Sequence, residues 1–270
     1  MNENVDEVFR ECVIPLSSYL DQLVVVGGWV PYLYAKIYSG EVSQEPLFTY
    51  DFDTALERGR FVEDGTTLDE AILDHGFKHR FDSLDTPPVV RYVKELRSGK
   101  HAEIEFLTES NDAGKSVEVI GSINAQSLRY VKLLLDNPWS FPLSELGIQI
   151  DKPLRIPRPS MFVIHKVLTS PLRSRGLKTA KDLYYVFFVM DVFPNWKDGI
   201  FSDIKDFTKE HPELVGRITK YLESMFSDID SEGIDKLISQ RPQTAYKPMT
   251  EDQFRRYALN RMRELMRGFQ

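Results

Sequence analysis

Residues 47–56 read LFTYDFDTAL, and this stretch decides the fold that the sequence predicts. Its aromatic, β-branched and apolar residues favour a β-strand. Side chains two positions apart point to the same face of a strand, so Asp51 and Asp53 share one face. Hard divalent cations bind carboxylate oxygens, which makes this pair a candidate metal site. Acidic alternation on a solvent-facing strand is the other interpretation of the same pattern.

The segment upstream of this strand predicts a strand, a glycine turn and a helix. Residues 23–26, LVVV, form a continuous apolar run typical of a buried strand, and the run stops at Gly27 and Gly28. Pro31 then stands in the first turn of the predicted helix, where a missing N–H costs nothing, and Gly40 is its predicted C-terminal cap. A glycine turn before a helix lets backbone N–H groups approach phosphate oxygens closely. A simple tight turn has the same signature.

A β-hairpin is predicted downstream, with arms at residues 89–93 and 101–107. Apolar and polar residues alternate in the second arm, so that one face is apolar and the other acidic. A third carboxylate on a neighbouring strand would complete a site for two metal ions about 3.5–4 Å apart. Glu105 is the predicted third carboxylate, and Glu103, on the same face, is the alternative.

The second half of the chain is predicted to be helical. The Pro-rich residues 153–159 form the predicted boundary between domains at residues 1–152 and 153–270. Ser160 is the predicted N-cap of a helix that begins at Met161. Further helices are predicted over residues 180–190, 201–209, 213–226 and 251–266.

Positive charge is concentrated at the start of this second half. Eight Lys and Arg residues, and no Asp or Glu, lie between Lys152 and Lys181, although the net charge of the chain is −7. Cations opposite metal-binding carboxylates are expected at a phosphate-binding site. The predicted phosphate-binding residues in this cluster are Lys166, Arg173, Arg175 and Lys181. A solvated helix face is the alternative, and for Lys166 it is a lysine on a helix surface.

Composition excludes several classes of protein. The mean hydropathy is −0.32, and no run approaches the roughly 20 apolar residues of a membrane helix. The first residues carry no signal-peptide pattern, so we expect a cytoplasmic protein without membrane contact. The single cysteine, Cys12, excludes an internal disulfide and a zinc site built from cysteines.

Three motifs together resemble the polymerase-β-like nucleotidyltransferase superfamily. They are VVVGGWVPYLY at residues 24–34, FTYDFDTAL at 48–56 and IEFLT at 104–108. The run PRPSMFVIHKVLTSPLRSRGLKTAKDLYYV at residues 157–186 is similar to the bacterial branch that contains abortive-infection toxins. The resemblance implies an α/β (α+β) fold, with a small mixed sheet backed by helices and a helical C-terminal domain that closes the cleft.

The resemblance also implies roles for individual residues. Asp51 and Asp53 would hold two Mg²⁺ ions, with Mn²⁺ as the second candidate, and Glu105 would complete the metal site and serve as a base. Lys166 would contact phosphate, and Asp182 would support that lysine or the acceptor site. The nucleotide-binding set is Gly27, Gly28, Thr49, Lys166, Arg173, Arg175, Lys181 and Asp182. Many relatives have the shorter aspartate as third carboxylate, which leaves the metal geometry open.

The implied reaction is nucleotidyl transfer of the EC 2.7.7 type, from an NTP to an acceptor hydroxyl. RNA, at the 3′ end of a tRNA, is the implied acceptor, with a protein hydroxyl as the alternative and an antitoxin protein as a further partner. The rival interpretation is a module that senses nucleotide or regulates a partner without turnover. Arginines near the C-terminus would either touch RNA phosphates or form a solvated helix face. They are Arg255, Arg256, Arg261, Arg263 and Arg267.

Overall fold

The computed structural model describes residues 3–37, 46–47, 49–83, 87–110, 116–173, 176–193 and 196–270. Gly40 and Arg175, which the sequence assigned to a helix cap and to phosphate binding, lie outside the described residues.

The chain forms two compact units. The first comprises Met1–Val30 and Phe48–Arg158, and the second comprises Pro31–Leu47 and Pro159–Gln270. The last boundary between the two units along the chain therefore falls between Arg158 and Pro159. The catalytic role of residues 1–152 and the helical domain's role in substrate binding stay predictions.

The first unit opens with helices that change type at Pro15. Helix α1 (Glu3–Val13) is followed by a 3₁₀ helix (Ile14–Tyr19) with Pro15 in its first turn. Proline has no backbone N–H, so the α-helical hydrogen-bond pattern ends there. Strand β1 (Leu23–Val25) then leads through Gly27 and Gly28 into helix α2 (Trp29–Ile37).

The remaining strands of the main sheet follow in the same unit. They are β2 (Asp51–Leu56), β3 (Lys78–Phe81), β4 (Val90–Glu95), β5 (His101–Glu109), β6 (Ser116–Ile120) and β7 (Ile123–Leu128). Helix α3 (Leu68–Asp74) lies between β2 and β3. It begins after Thr67, whose hydroxyl accepts the Glu70 backbone N–H while the Glu70 carboxylate accepts the Thr67 N–H. This reciprocal capping satisfies backbone donors that a helix start leaves unpaired.

The sheet is mixed, as predicted. Among the described residues it has seven strands, in the order β1-β2-β5-β4-β3, with β7 paired to β5 and β6 paired to β7. The β2–β5 and β5–β7 pairs are parallel and the others antiparallel. The predicted hairpin is the β4–β5 pair, and β5 is therefore bordered by β2 on one side and by β4 and β7 on the other.

Opposite faces of β2 pack against different partners. Phe52 is buried, and its ring lies 5.8 Å from that of Phe9 and 5.9 Å from that of Trp29. On the other face, Ala55 is buried in a cluster with Val131 and Leu134. Burial of each large apolar side chain contributes about 1.5–3 kcal/mol, so both faces fix the position of β2.

Residues 127–135 contain the end of a strand and a short helix. Strand β7 ends at Leu128, Tyr130 takes a positive φ of 67°, and the short helix α4 (Lys132–Leu135) follows. Strands β8 (Trp139–Phe141) and β9 (Leu154–Ile156) then form an antiparallel pair. Part of the Pro-rich stretch that was predicted as a boundary is therefore a strand.

The second unit is helical. Its helices after α2 are α5 (Pro159–Thr169), α6 (Gly176–Val192), α7 (Trp196–Glu210), α8 (Pro212–Met225), α9 (Glu232–Gln240) and α10 (Glu251–Gly268). The prediction of Ser160 as an N-cap was wrong, because α5 already begins at Pro159 and the Ser160 hydroxyl donates to Asp203 Oδ2 at 2.6 Å. Helix α9 was not predicted. Within the described part of the chain, no helix has the length and apolar character that a membrane span requires.

Candidate active site

Four carboxylates lie on one face of the β2–β5 pair. In the parallel register, Asp51 stands opposite Glu103 and Asp53 stands opposite Glu105. Phe52 and Ile104, which alternate with them, are fully buried on the other face. Oxygens of Asp51, Glu103 and Glu105 lie within 4.8 Å of one another and could hold a metal ion. The pairing of two strands about fifty residues apart thus converts two separate acidic alternations into one cluster.

The turn at Gly27 touches this cluster from β1. Gly27 has a φ of +69°, and a Cβ atom at this position would lie 1.9 Å from Asp53 Oδ2. The neighbouring Val26 N–H donates to the Asp53 carbonyl at 2.9 Å. Glycine is needed here both for the left-handed backbone conformation and for the close approach to the carboxylate. Helix α2 begins two residues later, at Trp29.

Glu105 is the most buried carboxylate of the row. Only 7% of its surface is exposed, and burial followed by the negative charge of Asp53 raises its pKa to about 7, against the opposing effect of Arg91. Arg91 Nη1 lies 2.8 Å from Glu105 Oε1, and Gln126 Nε2 donates to Oε2 at 3.1 Å. The cluster therefore carries more negative charge than its own cations neutralise, which suits a bound dication.

Glu103 has a different environment, although it is only two residues away. Arg80 donates to both of its oxygens, at 2.7 and 2.9 Å, and Arg91 Nη1 donates to it at 3.2 Å. Burial acts to raise the Glu103 pKa, but the hydrogen bonds from the two arginines outweigh it and the pKa is lowered. Glu103 and Glu105 are thus shifted in opposite directions, and Glu105 is the less neutralised of the two.

Threonines hold the two site strands in register. Thr54 Oγ1 donates to the Glu105 carbonyl at 3.2 Å, and Thr108 Oγ1 donates to the Leu56 carbonyl at 3.1 Å. Both hydroxyls are buried, where each hydrogen bond contributes about 0.5–1.5 kcal/mol. Thr49, a predicted nucleotide-binding residue, precedes β2, and its Oγ1 accepts the Asp51 N–H at 3.4 Å.

Arg80, Arg91 and Gln126 are site residues that were not predicted from the sequence. Arg80 and Arg91 face each other across the β3–β4 pair, and Gln126 lies on β7 opposite Leu107 of β5. The register of the predicted hairpin, with Glu95 opposite His101 and Tyr92 opposite Ile104, was the signal that could have placed Arg91 beside the acidic arm.

In the second unit, Lys166 and Asp182 form a buried ion pair. They are 5% and 4% exposed, and Lys166 Nζ lies 2.8 Å from Asp182 Oδ1. Arg173 Nε lies 2.9 Å from the other oxygen. Burial opposes ionisation of Asp182, but the two cations outweigh it and lower its pKa. Lys166 is therefore not a helix-surface lysine, and its contact with a phosphate stays a prediction.

Other basic residues predicted to bind substrate also have partners in this unit. Lys181 Nζ lies 5.7 Å from the centre of the Tyr185 ring. Arg255 pairs with Asp235 and Glu251, and Arg256 pairs with Asp252. Much of the charge on the C-terminal helix is thus balanced by neighbouring acids, which agrees better with a solvated helix face than with an RNA-binding one.

A carboxylate row of this kind, on paired strands beside a glycine turn that enters a helix, could hold a divalent metal ion. A family model described as nucleotidyltransferase matches residues 16–203. The chain belongs to this nucleotidyltransferase family, and an NTP is the substrate that the family implies.

A solved structure is also similar to this chain. It is the crystal structure of an antigenic nucleotidyltransferase-like protein from Paracoccidioides brasiliensis, at 14% sequence identity and a TM-score of 0.40. The match covers 79% of this chain and 92% of that one. No curated protein sequence gives a significant match.

Proposed function

We propose that the chain transfers a nucleoside monophosphate from an NTP to an acceptor hydroxyl in a Mg²⁺-dependent reaction. The observation that supports this proposal is the carboxylate row on β2 and β5. Asp51, Asp53 and Glu105 are the proposed metal ligands, and they supply the hard oxygen donors that Mg²⁺ and Mn²⁺ prefer. Their mutual repulsion around the buried Glu105 fits a site that binds positive charge.

In the proposed reaction, the acceptor oxygen forms a bond to the α-phosphorus of the NTP. The bond from that phosphorus to the bridging oxygen breaks, and pyrophosphate leaves with the electron pair. Mg²⁺, when bound, neutralises the phosphate charge and activates the acceptor hydroxyl. Glu105 orients the acceptor and takes its proton. The backbone at Gly27 and Gly28 lies against the triphosphate, close to the start of α2, where a helix end favours anions.

RNA, at the 3′ end of a tRNA, is the proposed acceptor, and the bacterial toxin-like branch is the proposed setting. Both rest on the sequence motifs alone. A protein hydroxyl is the second candidate acceptor. Growth arrest on expression that disappears in an Asp53→Ala variant would support the toxin-like role, while harmless expression of the intact protein would contradict it.

The proposal is tested with α-labelled NTPs. The purified protein is incubated with each NTP, Mg²⁺, and total RNA and protein from a cell extract. We expect label on RNA, loss of labelling with EDTA, recovery with excess Mg²⁺, and no labelling by Asp51→Ala. Asp74→Asn, which changes an exposed carboxylate at the end of α3, is the matched control and should label normally.

Two results would contradict the proposal. Full activity of Asp51→Ala would show that transfer does not need the proposed metal ligand Asp51. NTP binding without label transfer would favour the nucleotide-sensing interpretation. Label on protein instead of RNA would keep the reaction and change the acceptor.

A further inference from the structure

Both oxygens of the Glu105 carboxylate already have one protein partner, an ion pair at one oxygen and a hydrogen bond at the other. Oε1 contacts Arg91 Nη1 at 2.8 Å and Oε2 accepts from Gln126 Nε2 at 3.1 Å. An ionised carboxylate has about four lone-pair sites, so each oxygen can still bind a cation. These two contacts, one from β4 and one from β7, hold the carboxylate from two sides.

Arg91 is itself held in place. Its Nε lies 2.5 Å from Asp82 Oδ2, and its Nη1 lies 3.2 Å from Glu103 Oε2 as well as 2.8 Å from Glu105. Ion pairs with three carboxylates, one of them also a hydrogen bond to Glu103, leave the planar guanidinium little freedom. The position of Arg91 is therefore transmitted to Glu105.

Arg80 provides a natural comparison. It is the cross-strand neighbour of Arg91 and shares its partners Asp82 and Glu103. In the described part of the chain, however, Arg80 forms no hydrogen bond or ion pair with Glu105. The two arginines thus belong to one ion-pair network, and of the two only Arg91 is ion-paired with Glu105.

We propose that Arg91, together with Gln126, is a positioning residue that orients Glu105 for the metal ion, and that Glu103 serves to hold the arginines. This inference rests on the proposed metal-dependent function. The positive charge of Arg91 is compatible with a metal ion bound nearby. Arg80 and Arg91 together with the carboxylates of Asp82 and Glu103 form a neutral set. Groups that orient metal ligands change metal affinity by about 10–100-fold when removed.

The test measures the affinity of the nucleotide-free protein for Mn²⁺ by electron paramagnetic resonance. We expect about 10–100-fold weaker binding in Arg91→Ala and Gln126→Leu, and near-normal binding in Arg80→Ala. Arg91→Lys keeps the positive charge without the planar fork, so it tests the same role in a variant that preserves the network's charge. In Arg91→Lys, the concentration of Mg²⁺ needed for half-maximal transfer should rise while kcat at saturating Mg²⁺ recovers.

Three outcomes would overturn the inference. Unchanged or tighter Mn²⁺ binding in both Arg91 variants would show that the guanidinium does not orient Glu105. Equal weakening in Arg80→Ala would show that the whole network acts only through folding. Absence of Mn²⁺ binding by the unmodified protein would reject the proposed function as well, which separates that failure from the first two.

Discussion

The backbone of Gly27 lies against the side chain of Asp53, so closely that a Cβ on Gly27 would stand 1.9 Å from Asp53 Oδ2. The turn and the carboxylate are therefore one structural unit. Any side chain at residue 27 must displace the proposed metal ligand.

Gly27→Ala should lower nucleotidyl transfer by about 10²-fold, the scale expected when a catalytic group moves by roughly 1 Å. The measurement is the transfer assay together with Mn²⁺ affinity. Gly65→Ala is the matched control, because Gly65 has a similar φ of +79° but no atom within 4 Å of the added Cβ. Both variants carry a backbone strain of about 1–2 kcal/mol, and only Gly27→Ala should lose activity. Equal activity of the two variants would show that transfer does not depend on the close approach of Gly27 to Asp53.

The two glutamates of β5 should respond differently to loss of charge. Glu105→Gln should lower transfer by about 10²-fold or more, as expected for removal of a general base. Glu103→Gln should keep most of the activity and lose stability, because Arg80 and Arg91 lose a charged partner. Transfer rates and urea unfolding of both variants give the comparison. A larger activity loss in Glu103→Gln would make Glu103 the third carboxylate.

Variants of the buried pair Lys166 and Asp182 can distinguish a structural role of Lys166 from a phosphate-binding role. Asp182→Leu leaves the lysine charge buried without its partner and should cost about 3–5 kcal/mol of unfolding free energy. Lys166→Met/Asp182→Leu removes both charges and should recover most of that loss. The KM for NTP of the double variant then tests the predicted phosphate contact. A normal KM would restrict Lys166 to a structural role.

His165 predicts a decline of stability in acid. It is buried, its Nδ1 has no hydrogen-bond partner among the described residues, and burial followed by the charge of Lys166 lowers its pKa to about 3. An unfolded histidine has a pKa of about 6.5, so below that pH only the unfolded state takes up the proton. The free energy of unfolding is therefore not reduced by His165 above pH 6.5, and it decreases as the pH drops from 6.5 towards 3.

At pH 5, protonation of His165 in the unfolded state should lower the free energy of unfolding by up to about 2 kcal/mol. The measurement is urea unfolding between pH 8 and pH 5 of the unmodified protein and His165→Leu. The variant should show a shallower decline over this interval. Identical slopes would mean that His165 is protonated in the folded protein.

Elements encoded by neighbouring residues could be predicted from the sequence. The apolar run before Gly27, the alternation around Asp51 and Asp53, and the hairpin that contains Glu105 depend on local patterns and turn residues. The glycine turn was assigned to phosphate binding, but its contact with Asp53 requires the antiparallel pairing of β1 with β2. No local pattern specifies that pairing.

The contacts that complete the site depend on residues distant in the chain. Gln126 reaches Glu105 because β7 adds to β5 in parallel, and Arg80 reaches Glu103 because β3 pairs with β4. Burial of Lys166 follows from the packing of α5 on α6, whereas the sequence alone allowed either a phosphate-binding residue or a lysine on a helix surface. Tertiary structure decided each of these features.

The parallel pairing of β2 with β5 also has a consequence during protein synthesis. A growing chain that has emerged only as far as β4 contains Asp51 and Asp53 but not their partners Glu103 and Glu105. Pairing between distant segments is slow compared with local folding, because the entropy of closing the intervening loop must be lost first. The carboxylate row is therefore absent from an unfinished chain. The proposed reaction can begin only after β5 has left the ribosome and paired with β2 in the sheet.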